Sequence, residues 1–531
     1  MKKILLLLTF VCAVTSCDKF FHTDPQNFLH PDSYYTDQKS VEAGLMGVYQ
    51  IMVSPFAYST LTAATIYSGI ALPILFTTSD LEYFSETNQT YYASMFNFTP
   101  SEPYVISYWG GCYVGVSRAN NFIWRMETTE IPDMSDEDKN AALGEAYFLR
   151  GFYYWHLAAN FGGVPLVTDG SAEIISHRER SPLKDVYAQI LSDMIKAEGL
   201  VYDADKFSHS GRVTRTLVQA MLARVCLYMA GNPLNDTSKY ADALAWARKV
   251  RDSGLHDLDP DYAAFFTRLM NDRYETVYRE SMWEAEFKGV DGETPRTDGR
   301  WGSPNGVLCR DKNIGVTWSN LCVSRVLENY YAEEKDEYGA VVDKRYTWNV
   351  CPYDLGTDAI AVKRDRSIEY RNIGKFRKEA VEGGSGETRT STNFPIMRYS
   401  DVLLMLAEAA NEMDGPTDEA IAALNVVRSR AGVRLCANNT ADEEKIVLSD
   451  KESFREFIKK ERARELCFEA TRRLDLIRWG HLVESVKYMS SISTVAKAKR
   501  PGNYISEKHN LLPIPSMELN GNMLIEQNPG W

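Results

Sequence analysis

The residue best suited to covalent chemistry stands at position 17. Lys2 and Lys3 precede an apolar run, Ile4–Val14, and Val14-Thr15-Ser16-Cys17 follows. A short basic stretch, an apolar stretch too short to span a bilayer and small residues before a break describe a secretion signal, not a membrane helix. A cysteine at the break is what a lipoprotein requires. Its thiol takes a diacylglycerol, residues 1–16 are cut away and the new amino terminus is acylated. Acyl chains then hold the chain at a bilayer surface, with a strength that grows with the number of buried methylenes.

Other reactive side chains are sparse. Nine cysteines include Cys12 in the signal and Cys17, leaving seven for the mature fold, an odd and scattered set that does not read as a disulfide scaffold. Cys226 and Cys467 fall in helical patterns and read as buried thiols. A bridge among Cys309, Cys322 and Cys351 stays open. Histidine occurs eight times, and His156, between Trp155 and Leu157 in a helical pattern, reads as core. No HExxH, CxxC, P-loop, GxSxG or dinucleotide fingerprint occurs. The histidines and cysteines form no metal-site spacing, and no cofactor is expected. Glu284 and Glu286 would share one face of a strand, whereas glycoside hydrolysis needs carboxyls facing each other at roughly 5–9.5 Å. They read as a solvated strand face.

The elements that position these residues are mainly helical. Patterns at 39–52, 108–125, 136–160, 182–198, 213–230 and 237–252 read as helices. Ser135 caps the third, and Phe161-Gly162-Gly163-Val164-Pro165 ends it, since glycine releases the chain and the residue before proline is driven extended. Short breaks and many alanines suggest helix pairs stacked as a degenerate repeat. From 261 to 394 glycine, proline and tryptophan rise, with a strand-like run at 277–287, and this stretch reads as a loop-rich insertion. Helices resume at 400–412, 416–430 and 451–471. The last is dense in charge, which on helices ordinarily means solvated faces and ion-pair networks. Leu511-Leu512-Pro513-Ile514-Pro515 should lie extended.

The chain has 531 residues, with 72 acidic against 59 basic and a formal charge of −13. That balance argues against nucleic acid as a partner. No apolar stretch after residue 17 approaches the roughly 20 residues of a membrane helix.

Four stretches carry a family resemblance. They are AALGEAYFLRGFYYWHLAANFGGVPLV (from Ala141), PIMRYSDVLLMLAEAANEMDGPTDEAIAALNVVRSRAGV (Pro395–Val433), ERARELCFEATRRLDLIRWG (Glu461–Gly480) and the end from Leu512 to Gln527-Asn528-Pro529-Gly530-Trp531. In this order, behind a lipoprotein start, they resemble the SusD/RagB family. The resemblance implies a predominantly all-α fold, a tetratricopeptide-like helical-repeat scaffold with an inserted loop-rich region containing short strands. It implies a signal peptide at 1–16, a lipidated tether at 17–35, a helical scaffold at 36–260, a variable ligand-binding region at 261–394 and a helical C-terminal part at 395–531. It also implies a role without catalysis: a lipoprotein of the outer membrane of Bacteroidota, facing the exterior. There it would sit as a lid on a SusC-like TonB-dependent porin and bind a nutrient, usually a glycan, for import. A peptide ligand, or a mainly structural lid, are the alternatives.

Within the matched blocks, Glu145, Arg150, Arg464, Glu465, Glu469, Arg472, Asp475 and Arg478 have the types needed for an internal ion-pair network and are assigned to structure. Ligand contact is expected outside them. A sugar offers C–H faces to aromatic planes and hydroxyls to fixed polar groups. Residues 80–98 supply Tyr83, Asn88, Tyr91 and Tyr92, and the insertion supplies Trp301, Asn305, Arg310, Trp318 and Asn320. A local basic patch at Arg296, Arg300 and Arg310 would favour an anionic polymer against the overall charge. Trp283 and Tyr278 read as core.

Overall fold

The computed structural model describes residues 34–53, 66–67, 74–75, 78–85, 89–170, 177–287, 305–311, 314–355, 364–365, 367–382, 390–438 and 445–531. Cys17, Asn88, Arg296, Arg300 and Trp301 lie outside them, as does the side chain of Tyr91.

The first half runs α1 (Gln38–Val53), β1 (Glu82–Phe84), α2 (Pro103–Thr128), α3 (Asp136–Phe161), α4 (Leu183–Glu198), α5 (Arg215–Ala230) and α6 (Lys239–Asp252). Next come α7 (Tyr262–Met270), β2 (Ser281–Ala285), β3 (Leu321–Val323), α8 (Arg325–Tyr331), β4 (Val350–Cys351), β5 (Asn372–Ile373) and β6 (Phe394–Arg398). The chain closes with α9 (Tyr399–Asp414), α10 (Asp418–Ala431), α11 (Lys451–Leu466), α12 (Arg472–Arg478), α13 (Leu482–Ile492) and α14 (Ala496–Tyr504), together with short turns. The fold is predominantly helical, as expected.

Each long helix packs on the next from α1 through α6, and α6 then packs on α9, which in turn meets α10 and α11. The stack is therefore continuous in space although the intervening chain leaves it between α6 and α9. Its centre is α5, where every residue from Thr216 to Ala230 is buried; a helix apolar on all sides belongs inside. Ser135 caps α3 by accepting from the Asp138 amide at 3.1 Å, with Asp136, Glu137 and Asp138 at the positive end of the helix dipole. At its other end Gly162 takes φ +79°, and a Cβ on Gly163 would stand 2.4 Å from the Ser181 carbonyl. The extended tail seals this end: the Leu512 amide donates to Asn160 at 2.7 Å, and Asn528 Nδ2 donates to Phe161 and Leu512 at 3.0 and 2.7 Å.

His156 sits in the core between the hydroxyls of Tyr67 and Tyr108, at 3.1 and 2.7 Å, and burial followed by repulsion from Arg224 holds its pKa down at about 3. Trp283 is fully buried, and Tyr278 is half-buried. The seven described cysteines are all free and buried, so Cys309, Cys322 and Cys351 form no bridge. Register explains part of this. Cys322 and Cys351 both pair with Asn372 from opposite sides, which separates them by two strand spacings, about 10 Å, beyond disulfide reach.

Charge density in the C-terminal part proves to be internal. Arg398, at the end of β6, donates from Nη1 to Glu280 and Glu465 at 2.7 and 2.9 Å, and from Nε and Nη2 to both oxygens of Glu469 at 2.8 and 2.7 Å. Arg430 and Arg345 reach the two oxygens of Glu465 at 2.5 and 3.0 Å, and Lys375 meets Glu469 at 2.5 Å. A second lattice joins the helices. Asp401 takes Arg224 and Arg462 at 2.6 and 2.7 Å, Arg462 reaches Asp475 at 2.8 Å, and Arg478 links Asp475 to Glu408 at 2.9 and 2.7 Å. Glu145 and Arg150 pair with Arg212 and Asp193.

The helix expected over 451–471 stops at Leu466. Phe468 and Ala470 adopt φ +64° and +59°, and the turn they make delivers Glu469 to Arg398 and Lys375 before α12 begins. Left-handed conformations at non-glycine residues cost roughly 1 kcal/mol each, less than an unpaired buried cation would.

Arg398→Met should lower stability by about 3–5 kcal/mol, because three buried carboxylates lose a shared partner. Urea unfolding would show it as a lower midpoint at unchanged slope, and Arg398→Lys should not restore it, since one ammonium lacks the fork geometry. The pH dependence should have two limbs. Burial alone would raise Asp401 and Glu461, yet the guanidinium pair of Arg462 and Arg224, and that of Arg345 and Arg428, hold them at about 2, below their ordinary 3.8 and 4.5. Below about pH 4.5 the unfolded chain then binds more protons than the folded one, so stability falls as pH drops towards 2. Burial lifts Glu284 and Glu82 to about 7 and about 8. For these the folded chain holds the proton, so stability declines as pH rises from 4.5 to about 8. Melting curves across this range should peak in the weakly acidic region; a flat profile would contradict both assignments.

Candidate functional site

Residues 82–85 and 319–323, remote in sequence, meet at one small sheet. Its strand order is β1-β3-β5-β4, with Glu82, Tyr83 and Phe84 opposite Val323, Cys322 and Leu321. Pairing continues past the strand, where the Ser85 amide donates to Asn320 at 2.7 Å and Ser85 Oγ to the Ser319 carbonyl at 2.9 Å. Ser319 takes φ +50° and its hydroxyl bonds Asn372 on β5, so the chain turns sharply just after Trp318.

Upstream, Cys309 and Thr317 form an antiparallel bridge, with the Thr317 amide donating to Cys309 at 3.0 Å and the Cys309 amide to Thr317 Oγ1 at 2.7 Å. Both side chains are buried, and strand alternation places their neighbours Arg310 and Trp318 on the opposite face. Arg310 is exposed, and Trp318 leaves 51% of its surface to solvent. An indole held this open on a braced backbone presents a ready stacking plane.

A further exposed aromatic, absent from the sequence expectations, lies at the other end of β3. Tyr370 is 50% exposed in a tight turn two residues before Asn372. The turn is clamped by its neighbour Glu369, whose carbonyl accepts from Tyr83 and whose carboxylate accepts from the Thr494 amide at 2.9 and 3.0 Å. Burial would raise that carboxyl, but Thr494 and Arg325 keep it below its ordinary range. No short motif marks Tyr370; it reaches the sheet because Asn372, two residues on, pairs with Cys322 of β3.

Three expected contact residues are corrected. Tyr83 is 1% exposed and packs with Cys322, Val495 and Ala498, while Asn305 and Asn320 are buried as well. Strand pairing explains the first, because Tyr83 faces the helices under the sheet. All three lie inside the fold. Tyr92 is half-buried in the short helix Gln89–Met95, which packs on β1 and α14.

A separate cavity of about 480 Å³ opens between α1 and β2, lined on one side by Met46, Gln50 and Val53 and on the other by His209, Arg212, Glu284 and Glu286. Glu284 is buried and accepts from Asn393 at 2.9 Å, which corrects the expected solvated face; Glu286 is half-exposed beside His209 at 3.4 Å. Both glutamates come from one strand and so from one wall, not from opposite sides of a substrate. Among the described residues no group of three or more His, Cys, Asp or Glu could hold a metal ion, and no helix is long and apolar enough to cross a membrane.

Comparison with known proteins agrees with this architecture. Residues 280–531 match the model of the SusD family, and residues 28–227 match a second model described as starch-binding and associating with the outer membrane. SusD-like protein P25 of Formosa agariphila is 24% identical over 550 residues, covering 99% of this chain and 97% of its own. The starch-binding protein SusD of Bacteroides thetaiotaomicron is 24% identical over 440 residues, covering 75% and 74%. A crystal structure of a SusD homologue from Bacteroides thetaiotaomicron superposes with a TM-score of 0.82 at 25% identity, covering 94% of this chain and 98% of that one. With both family models placed in order along one continuous helical stack, the chain belongs to the SusD/RagB family.

Proposed function

We propose that this protein binds a glycan at the bacterial outer membrane and passes it to a SusC-like TonB-dependent porin for import, without altering it chemically. The observation that carries the reading is the exposed Trp318, with Arg310 on the same face, on a backbone pinned by Ser85, Asn320 and Asn372. Stacking planes with a fixed donor nearby suit a sugar, whose C–H face and hydroxyls need both at once. The starch-binding relative and the outer-membrane description of the matching family model support the same role. In this reading Cys17 carries the acyl chains, and the protein faces the cell exterior. Tyr91, Tyr92, Asn88 and Trp301 belong to the two stretches, 80–98 and 301–320, that would complete the ligand surface.

Affinity electrophoresis against a panel of plant, mucin, fungal and storage polysaccharides tests it. One polymer should retard the protein, and Trp318→Ala should weaken that binding about tenfold, roughly 1.4 kcal/mol, while leaving the melting temperature unchanged. Silence across the panel from folded protein would sink the glycan and leave a peptide ligand or a structural lid. Metabolic labelling with an alkynyl palmitate should mark the wild-type chain and not Cys17→Ala.

A further inference from the structure

The helical hairpin α13–α14 carries an exposed surface that the scaffold does not use. On α13 the buried positions Leu482, Val486, Met489 and Ser490 leave Glu484, Lys487, Tyr488 and Ser491 outward. On α14 only Ala498 and Pro501 are buried, and Lys497, Lys499, Asn503 and Tyr504 are exposed, with Arg500 half-exposed. The Gly502 amide donates to Ser490 Oγ at 2.9 Å, and a Cβ on Gly502 would lie 3.8 Å from the Lys487 Cα. The helices therefore touch there, bringing Lys487 beside the end of α14. No ion pair among the described residues engages Lys487, Lys497, Lys499 or Arg500. Acids nearby include Glu369, which accepts from the Thr494 amide, Glu484, beside His481 at 3.6 Å, and Glu507, bonded to Asn510. Tyr488 and Tyr504 are 54% and 46% exposed among these cations.

Two facts choose an occupant. A free basic face on a chain of charge −13 attracts a polyanion only where cations cluster. The hairpin that carries this face packs by its buried side against the proposed ligand region: α14 meets β1 and the helix carrying Tyr92, and Thr494, two residues before α14, clamps the turn that bears Tyr370. Resting on the glycan reading, we infer that α13–α14 extends that site and selects an anionic polysaccharide, with Lys487, Lys497, Lys499 and Arg500 meeting its carboxylates or sulfate esters and Tyr488 and Tyr504 lying along its rings. The overall acidity then keeps polyanions from binding elsewhere.

The non-lipidated mature chain, residues 18–531, would be titrated with polygalacturonate, chondroitin sulfate, neutral laminarin and phosphatidylglycerol vesicles. At least one of the two anionic polymers should bind more tightly than laminarin at low ionic strength, and added salt should remove the difference. Which of them binds tells carboxylate from sulfate recognition. The double variant Lys497→Glu/Lys499→Glu should weaken anionic binding at least tenfold, with the melting temperature and any laminarin binding unchanged, and Lys487→Glu should act in the same direction from the other helix. Equal affinity for neutral and anionic polymers, indifference to charge reversal, or reversal affecting vesicles alone would each overturn the inference. Neutral binding that depends on Trp318 would still leave the glycan reading standing, whereas silence towards every polymer would overturn both.

Discussion

A guanidinium taken out of water must be met by carboxylates on nearly every side, and this requirement organises the protein. Arg398 faces Glu280, Glu465 and Glu469, which come from the segment before β2, from α11 and from the turn after it. Apolar contacts tolerate a small slide of one helix on another, but a bidentate ion pair does not. The lattice therefore adds direction to a core that burial alone would hold only loosely in register. It also accounts for the break after Leu466, since a continuing helix would carry Glu469 away from Arg398.

The same lattice fixes where the long excursion between α6 and α9 returns to the scaffold. β6 ends at Arg398 and α9 follows at once, so the returning end of the long excursion is anchored by this charge cluster. Its small sheet is pinned through Asn372, Ser319 and Ser85, none of which touches that cluster. Scaffold and surface thus rest on different interactions: buried ion pairs below, and hydrogen bonds across short strands above. In the proposed reading, residues at the upper level are free to serve a ligand because the lower level does not require them.

Legibility in the sequence follows that division. Long helices were readable because their apolar periods, Ser135 and the Gly162-Gly163 exit are local signals, and the helix pairs follow from them. The inward direction of the charges was legible only through the resemblance, because periodicity alone assigns such density to solvent. The sheet was not readable: β3, β4 and β5 are two or three residues long and exist through partners far along the chain. For that reason local sequence does not reveal that Tyr83 and Asn320, with types suited to sugar, are buried, or that Tyr370 and the α13–α14 lysines are exposed. A side chain's exposure depends on its pairing partner, which a single stretch of sequence does not contain.

Net charge misleads in the same way, because it averages over distances at which charges no longer act. At physiological salt the screening length is about 8 Å, shorter than a helix of nine residues. Twelve of the 34 arginines, all among the described residues, are buried inside the scaffold, several of them paired with Glu465, Glu469 and Asp401. What an approaching polymer meets is the remainder, and on α13–α14 that remainder is positive. Burial of the strongest cations is thus what leaves a few surface lysines to set the local field, in a molecule whose formula describes an acidic one.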